Sequence, residues 1–426
     1  MPMSDRPISR RHLLKLSSAG MALTAGCVTD VTGGPDTQVP QEHRPSSFLE
    51  RDGTQLTLDG DPVYLFGTRP GYVINLNETK PDVQRTLFGD RVDQMLDQVV
   101  QMGGTLARVH AFQPFWGDET LQPEPGQYNE TVMKQLDRII EAARIRGLRL
   151  SLILINSKPA IHNADSIADK HGVNAHTYAY YADSAKEYDD FFTNSECKEL
   201  YKQRVEAILT RENTITGVEY RNEPAIAMWE LGNEIEWEEP WKHEDPTLRP
   251  WIEEMSSYIK SIDDNHLVTT GEFGWANRNN FVADHDPDGI DLCSIHYYPG
   301  PNGGYNLPDD PDKNHPELLE ELIAVGQEQI GKPVYLGEYN WKVQEGAGPP
   351  HPTRNEELRI IHESINQMDI SAAAFHALGL DSIENYPRAG ATVYADEDEG
   401  SMTEFRRAAE QYHRKSADGT LFTSSL

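Results

Sequence analysis

A (β/α)8 barrel is the fold this sequence predicts, and three observations predict it. Eight short apolar runs recur from residue 60 onward, amphipathic helical periods lie between them, and polar or charged residues interrupt the runs at their C-terminal ends. Continuous apolar runs of this length suit parallel strands covered on both faces. Length agrees: 426 residues would make two or three average domains, but one α/β barrel also absorbs them. Periodicity alone leaves a doubly wound open sheet as the alternative. No Gly-x-Gly-x-x-Gly or Walker-type loop follows an early run, which lowers the nucleotide-binding versions of that sheet.

In chain order, the first segment is expected to be an address. Ser9-Arg10-Arg11-His12-Leu13-Leu14-Lys15 resembles a twin-arginine export motif. The weakly apolar stretch 16–25 after it is too short to span a bilayer. Leu23-Thr24-Ala25-Gly26-Cys27 resembles a lipoprotein processing box, so 1–27 is expected to be a signal, with cleavage before Cys27 and lipidation of its thiol tethering the protein outside the membrane. Residues 28–45, rich in Thr, Gly, Pro, Gln and Asp, read as a flexible linker. The catalytic body is expected over 46–415, with a C-terminal tail at 416–426.

Within that body the predicted strands are 63–66, 105–110, 149–155, 225–231, 266–271, 291–296, 333–338 and 372–377. Helices are predicted at 90–102, 197–211, 250–262, 317–330, 355–368 and 404–415, with a weak one near 278–282. One more follows Asn129 as N-cap, with Val132, Leu136, Ile139, Ile140 and Ala143 on one face. Two cysteines remain in the body, Cys197 and Cys293, and no bridge is expected because they fall on elements far apart in the fold.

Charge narrows the partners. The formal net charge is −31, from 38 basic against 69 acidic side chains. Nucleic acid needs Lys/Arg to neutralise phosphate, so it is excluded as a partner, and anionic polysaccharide and anionic membrane surface are disfavoured with it. A neutral polysaccharide or oligosaccharide remains acceptable, with membrane contact only through a lipid at Cys27. Such an acidic surface, with Arg outnumbering Lys, also resembles proteins of salt-loving organisms, in which counterions screen the self-repulsion.

In a barrel the chemistry sits at the C-terminal ends of the strands. There the sequence collects Arg108 and His110, Asn156, Asn233 with Glu234, Glu272, His296 with Tyr298, and Glu338. Charges removed from water must be paired or used. Glu234 ends the fourth run and Glu338 the seventh, so the barrel would bring two carboxyls to one mouth. Paired carboxyls about 5–5.5 Å apart support glycoside hydrolysis with retained configuration, one protonated and the other ionised. Metal and nucleophile alternatives are poor: no His-x-His or His-Glu-x-x-His spacing, no Cys-x-x-Cys and no Gly-x-Ser-x-Gly occurs. No metal and no cofactor is expected.

Several segments carry a more specific likeness. Leu121-Gln-Pro-Glu-Pro-Gly-Gln-Tyr128, Asp189-Asp-Phe-Phe-Thr-Asn194, the stretch from Tyr201 through Thr214-Ile-Thr-Gly-Val218 to Trp229-Glu-Leu-Gly-Asn233-Glu234, and Gly289-Ile-Asp-Leu-Cys-Ser-Ile-His296-Tyr-Tyr298 form an ordered set. Over roughly residues 48–380 the chain resembles family 5 glycoside hydrolases of clan A, within them the endo-β-1,4-mannanases. The resemblance implies Glu234 as acid/base, Glu338 as nucleophile and Asn233 on the sugar 2-hydroxyl. It implies that Arg108 holds Glu338 through a forked contact, and that His296 and Tyr298 line the −1 subsite, one of them bonded to the nucleophile. Glu272 is expected either to bind substrate or to pair with an arginine.

The sequence also departs from that pattern. His376 stands where this family usually has the tryptophan floor of the −1 subsite, and Asn156-Ser-Lys158 stands where Asn-Trp is common. Imidazole is a smaller and more polar platform than indole. Trp116, Trp237, Trp241, Trp275 and Trp341 fall in loops that would ring the mouth. The expected function is hydrolysis of β-1,4-linked mannan. A β-glucan or oligosaccharide substrate, or a cell-surface glycan-binding barrel without turnover, are the alternatives.

Overall fold

The eight apolar runs become eight parallel strands with a helix after each. A computed structural model describes residues 37–71, 90–111, 121–156, 182–237, 244, 247–272, 278–299, 315–341, 343, 352–380 and 392–416, all within one compact unit, Gly33–Leu426. The strands are β1 Leu65–Pro70, β2 Leu106–His110, β3 Arg149–Ile153, β4 Ile226–Glu230, β5 Leu267–Thr269, β6 Cys293–Tyr297, β7 Val334–Tyr339 and β8 Ala372–Gly379. The helices are α1 Asp90–Gln101, α2 Glu130–Arg144, α3 Ser195–Leu209, α4 Arg249–Ile262, α5 Arg278–His285, α6 His315–Ala324, α7 Pro352–Gln367 and α8 Glu399–Lys415.

The strands run in the spatial order β5-β4-β3-β2-β1-β8-β7-β6. Among the described residues a parallel bridge between Thr269 and Leu292 closes the ring, supported by Asp291 N–H to Val268 O at 2.8 Å and by the Thr269 hydroxyl on Leu292 O at 2.9 Å. The open-sheet alternative is thereby excluded.

Local chemistry explains the helix starts. Asn129 accepts from Thr131 N–H, as its N-cap role requires, and the five apolar residues predicted for one face of α2 are all buried. Asn194 caps α3 by accepting from Glu196 and Cys197 N–H, so that helix begins two residues before the predicted start. Asp398 likewise caps α8 on Ser401 N–H, starting it five residues early. The predicted helix 317–330 is α6 followed by a wider π turn, Val325–Ile330, which Gly331 ends at φ 76°.

Strand β1 is displaced from its prediction. It runs on through Gly67, a residue that reads as a strand end. That glycine sits in the strand because β2 comes close: a Cβ there would lie 1.7 Å from Leu106 O. Ahead of β1 is an element the periodicity did not predict, an antiparallel hairpin of Leu49–Asp52 and Gln55–Leu58, with Asp61–Pro62 paired beside it. Its Asp52-Gly53 and Asp59-Gly60 pairs were the available turn signals.

The linker expected over 28–45 is not free in its described part. Val39 is buried and donates its N–H to Ile145 O, while the Thr37 hydroxyl bonds Asp97 on α1. Cys197 and Cys293 are separate buried thiols. Among the described residues no helix is long and apolar enough to cross a membrane.

Strand alternation sorts the residues into two sets. Phe66, Ala107, Val109, Leu150, Leu152, Trp229, Ile295, Leu336, Ala373 and Phe375 belong to the large cluster packed with the helices. Leu65, Leu106, Met228, Leu267, Leu292, Tyr335, Ala372 and Ala374 join the hairpin's Leu49, Leu56 and Leu58 in a second cluster inside the barrel. Above that apolar layer the inward positions turn polar.

Candidate active site

Arg108 on β2 is the centre of the polar layer and is fully buried. Its guanidinium holds two carboxylates. Nε lies 2.9 and 3.1 Å from the oxygens of Glu230, and Nη2 lies 2.7 Å from Glu230 Oε2. Nη1 donates to Glu338 Oε1. The forked contact expected between Arg108 and Glu338 therefore belongs to Glu230, and Glu338 receives a single N–H from the guanidinium. Planar guanidinium geometry explains the division: one edge is filled by Glu230, leaving Nη1 for the residue above. Glu230 is further held by the Ser151 hydroxyl at 2.6 Å and the Tyr335 hydroxyl at 3.3 Å.

Glu230 is the residue that sequence reasoning missed. The signal was present: a carboxylate inside a strand covered on both faces cannot remain unpaired. It was overshadowed by Asn233 and Glu234 three and four positions later.

Past β4 the backbone is shaped to present those two side chains. Asn233 N–H bonds Ile155 O and Glu234 N–H bonds Gly271 O, both at 2.7 Å. Gly271, at φ 69°, lies so close to this turn that a Cβ would come 2.0 Å from Gly232 O. Glu234 itself has φ 53°, a conformation that a side chain makes costly and that is concentrated at functional positions. Asn233 Oδ1 accepts from Arg108 Nη2 at 3.0 Å, and its amide donates to Asn156 Oδ1 at 3.1 Å.

On β7 a register shift between Leu336 and Glu338, at Gly337, re-aims Glu338 inward after Leu336 has faced the helices. The Tyr298 hydroxyl donates to Glu338 Oε2. His296, on the neighbouring strand, stands between the two acids, its Nδ1 3.2 Å from Glu234 Oε1 and 3.8 Å from Glu338 Oε2. Arg108 Nη2 can only donate and lies 3.4 Å from His296 Nε2, so Nε2 accepts and the ring proton faces Glu234. One oxygen of Glu234 and one of Glu338 are within 4.8 Å of each other. Both residues are buried, at 9 % and 3 % exposure.

His376, on β8, brings its Nδ1 to 3.2 Å from Glu338 Oε2. Burial pushes the Glu338 carboxyl up, but the His376 and His296 rings and the Arg108 guanidinium outweigh it and hold the group well below the usual carboxylate range. Glu338 is thus an anion. Burial, and then the Glu338 charge, push the Tyr298 phenol well above its ordinary value, keeping it a neutral donor. By distance alone Glu234, His296 and Glu338 could converge on a metal ion. A divalent cation there would meet the fixed charge of Arg108, and the set fits an acid and an anionic nucleophile better.

Glu272 is not part of this group. It is buried beside α5, with Asp284 as hydrogen-bond partner and His285 Nδ1 3.4 Å away, so an acid and an imidazole stand where an arginine was expected. Burial lowers His285 to about 3, so its ring is neutral. Of the rim tryptophans, Trp237 packs edge-on against Phe192 at 5.1 Å and Trp341 is buried after β7. Trp116, Trp241 and Trp275, the pair Ser157-Lys158, and Cys27 with its signal lie outside the described residues.

Residues 46–346 match the family model described as glycoside hydrolase family 5 β-mannosidase-like. Mannan endo-1,4-β-mannosidase 5 of Arabidopsis thaliana is 30% identical over 339 residues, covering 75% of this chain and 74% of its own length. Mannan endo-1,4-β-mannosidase 1 of Oryza sativa subsp. japonica is 32% identical over 320 residues, 69% of each. Among solved structures, the endo-1,4-β-mannanase of Rhizomucor miehei superposes with a TM-score of 0.68 at 24% identity, over 86% of this chain and 100% of that one. That last likeness speaks to the barrel alone.

Proposed function

As this chain belongs to the glycoside hydrolase family 5 β-mannosidase-like family, we propose that it cleaves β-1,4-linked mannan internally and with retained configuration. It is a glycoside hydrolase, and its substrate is a carbohydrate. The observation that carries the mechanistic reading is the approach of Glu234 and Glu338 to within 4.8 Å at one mouth. Retaining enzymes place their carboxyls at about 5–5.5 Å, whereas inverting ones leave about 6.5–9.5 Å for a water.

In the first step Glu338 attacks the anomeric carbon while Glu234 gives its proton to the departing glycosidic oxygen. The carbon–oxygen bond to the leaving sugar breaks as the ester to Glu338 forms. Water then attacks the same carbon, Glu234 takes its proton, and Glu338 leaves as the anion that Arg108 and Tyr298 are arranged to receive. Asn233, fixed by Arg108 and Asn156, presents its amide to the sugar 2-hydroxyl. The mannan endo-1,4-β-mannosidase names of the plant relatives support the polymer, and the charge of −31 favours a neutral one. Reducing-sugar release from mannan, glucomannan, cellulose and xylan in molar salt tests the substrate, and NMR of the first product tests the mechanism. An initial α-anomer would overturn the role of Glu338, and inertness on every polymer would leave the non-catalytic glycan-binding reading.

Export by the twin-arginine route and lipid attachment at Cys27 belong to the same proposal, tested by Cys27→Ala, which should release the protein from membranes. So does adaptation to salt, for which the melting temperature must rise between dilute and molar salt.

A further inference from the structure

Beside Tyr298, the nucleophile meets a group that the reaction above does not use. The His376 Nδ1 lies 3.2 Å from Glu338 Oε2. Two lone pairs at that separation would repel, so the neutral ring carries its proton on Nδ1. The approach lies off the hydrogen-bond directions, which makes it an electrostatic contact. The ring stands edge-on to Tyr298 at 5.9 Å and its backbone carbonyl is held by the Asn340 amide at 2.5 Å. Its side chain is 22% exposed, against 0% for His296, so it borders the cleft rather than the packed interior.

We propose that His376 is a positioning residue for Glu338 whose own protonation switches that hold from a dipole to a full positive charge, giving turnover a separate loss on the acid side. The inference rests on the hydrolytic reading of Glu234 and Glu338. A cation beside the nucleophile stabilises the free carboxylate and opposes the positive charge that develops on the anomeric carbon in an oxocarbenium-like transition state. Both effects slow the first step.

The surroundings decide where the switch lies. Arg69 on β1 is the register partner of His376. From β2 Arg108 and His110 face it, from β6 and the residue after it His296 and Tyr298, and from β7 Glu338. Burial pushes the His376 ring below the ordinary histidine value, Glu338 pulls it back, and Arg69 and Arg108 depress it further. The ring is therefore neutral at pH 7 and charges only in acid. Glu338 is held lower still, so the two losses are separable along the pH axis.

The test compares wild type with His376→Gln, which keeps an amide donor but cannot titrate, using a β-1,4-manno-oligosaccharide. Wild-type kcat should fall in acid in two steps, and His376→Gln should fall in a single, more acidic one. At neutral pH the variant should stay within a few-fold of wild type, because its amide still turns a donor dipole toward Glu338. An acid limb identical in the two proteins overturns the proposal. NMR titration of the ring gives a readout independent of substrate: in Glu338→Gln the His376 midpoint must move to lower pH, because the carboxylate that raised it is gone. No movement overturns the hold. A shifted midpoint in a protein inert on every polymer supports the hold while removing the hydrolase reading.

Discussion

The two ends of this barrel are closed by opposite chemistry. At the bottom, the hairpin's Leu49, Leu56 and Leu58 pack with Leu106, Met228, Leu267 and Leu292 into an apolar plug. At the top, the barrel strands supply Arg108, Glu230, His296 and Glu338, buried as deeply but held by ion pairs and hydrogen bonds. Burial of carbon stabilises whatever its details, at about 25 cal/mol per Å². Burial of charge stabilises only while every partner is present, and costs several kcal/mol when one is lost. The lower end can therefore tolerate exchange of one hydrocarbon for another, and the upper end cannot tolerate exchange of one polar group for another.

The largest expected effect is at the mouth. On the proposed mechanism Glu338→Gln removes the anion that attacks carbon, and kcat on mannan should fall by about 10⁴-fold or more, at the upper end of what a positioned acid or base contributes or beyond it. Glu234→Gln should lose about 10²–10⁴-fold, while affinity for the polymer is largely kept in both. Retained turnover in Glu338→Gln would break the comparison at once, because the most expensive buried charge would then have no chemical use.

Glu230→Gln separates stability from chemistry within the upper end. It leaves Arg108 with one carboxylate in place of two, and denaturant unfolding should show a loss of about 3–5 kcal/mol. Arg108 would also be freed to rotate away from Glu338, so kcat should fall in the protein that does fold. A melting curve like that of wild type would show that Glu338 alone suffices to pay for the buried guanidinium.

Leu56→Ala probes the other end. The residue is fully buried in the plug, and deletion should cost about 2–5 kcal/mol, depending on how far the hairpin settles into the cavity. The pH dependence and kcat of the folded fraction should match wild type, because the apolar layer touches the polar one only through side chains such as Tyr335. A changed kcat would mean that the plug sets the register of the strands carrying the acids.

Legibility followed the same division. Strands covered on both faces read as apolar runs, so the eight were found, with most ends within a residue or two. Glu234 and Glu338 stood out because a charge that ends such a run needs a reason. The hairpin was not legible from periodicity because its strands are four residues long and only half buried. Gly67 reads as a terminus, and only the approach of β2 shows why it lies inside a strand. Glu230 was hidden for a different reason: its partner Arg108 is more than a hundred residues away, and the family resemblance assigned that arginine to the nucleophile alone.

Glu272 offers the smallest effect and the sharpest boundary to the comparison, since it is a buried acid near the mouth that belongs neither to the plug nor to the hydrogen-bonded group around Arg108. Burial, and then the charge and hydrogen bond of Asp284, push its carboxyl well above the usual range. A group that binds its proton more tightly folded than unfolded adds stability in full below its unfolded pKa, about 4.3, and loses it as pH rises through the folded value. Neutral pH therefore works against this pair. Glu272→Gln keeps a hydrogen-bond donor for Asp284 and cannot lose a proton, so its melting temperature should match wild type near pH 4 and exceed it increasingly above, by the equivalent of about 1 kcal/mol. Activity on mannan should be retained. A difference that stays constant with pH would mean that Glu272 keeps no proton in the folded protein, and a loss of activity would move it back among the residues that bind substrate.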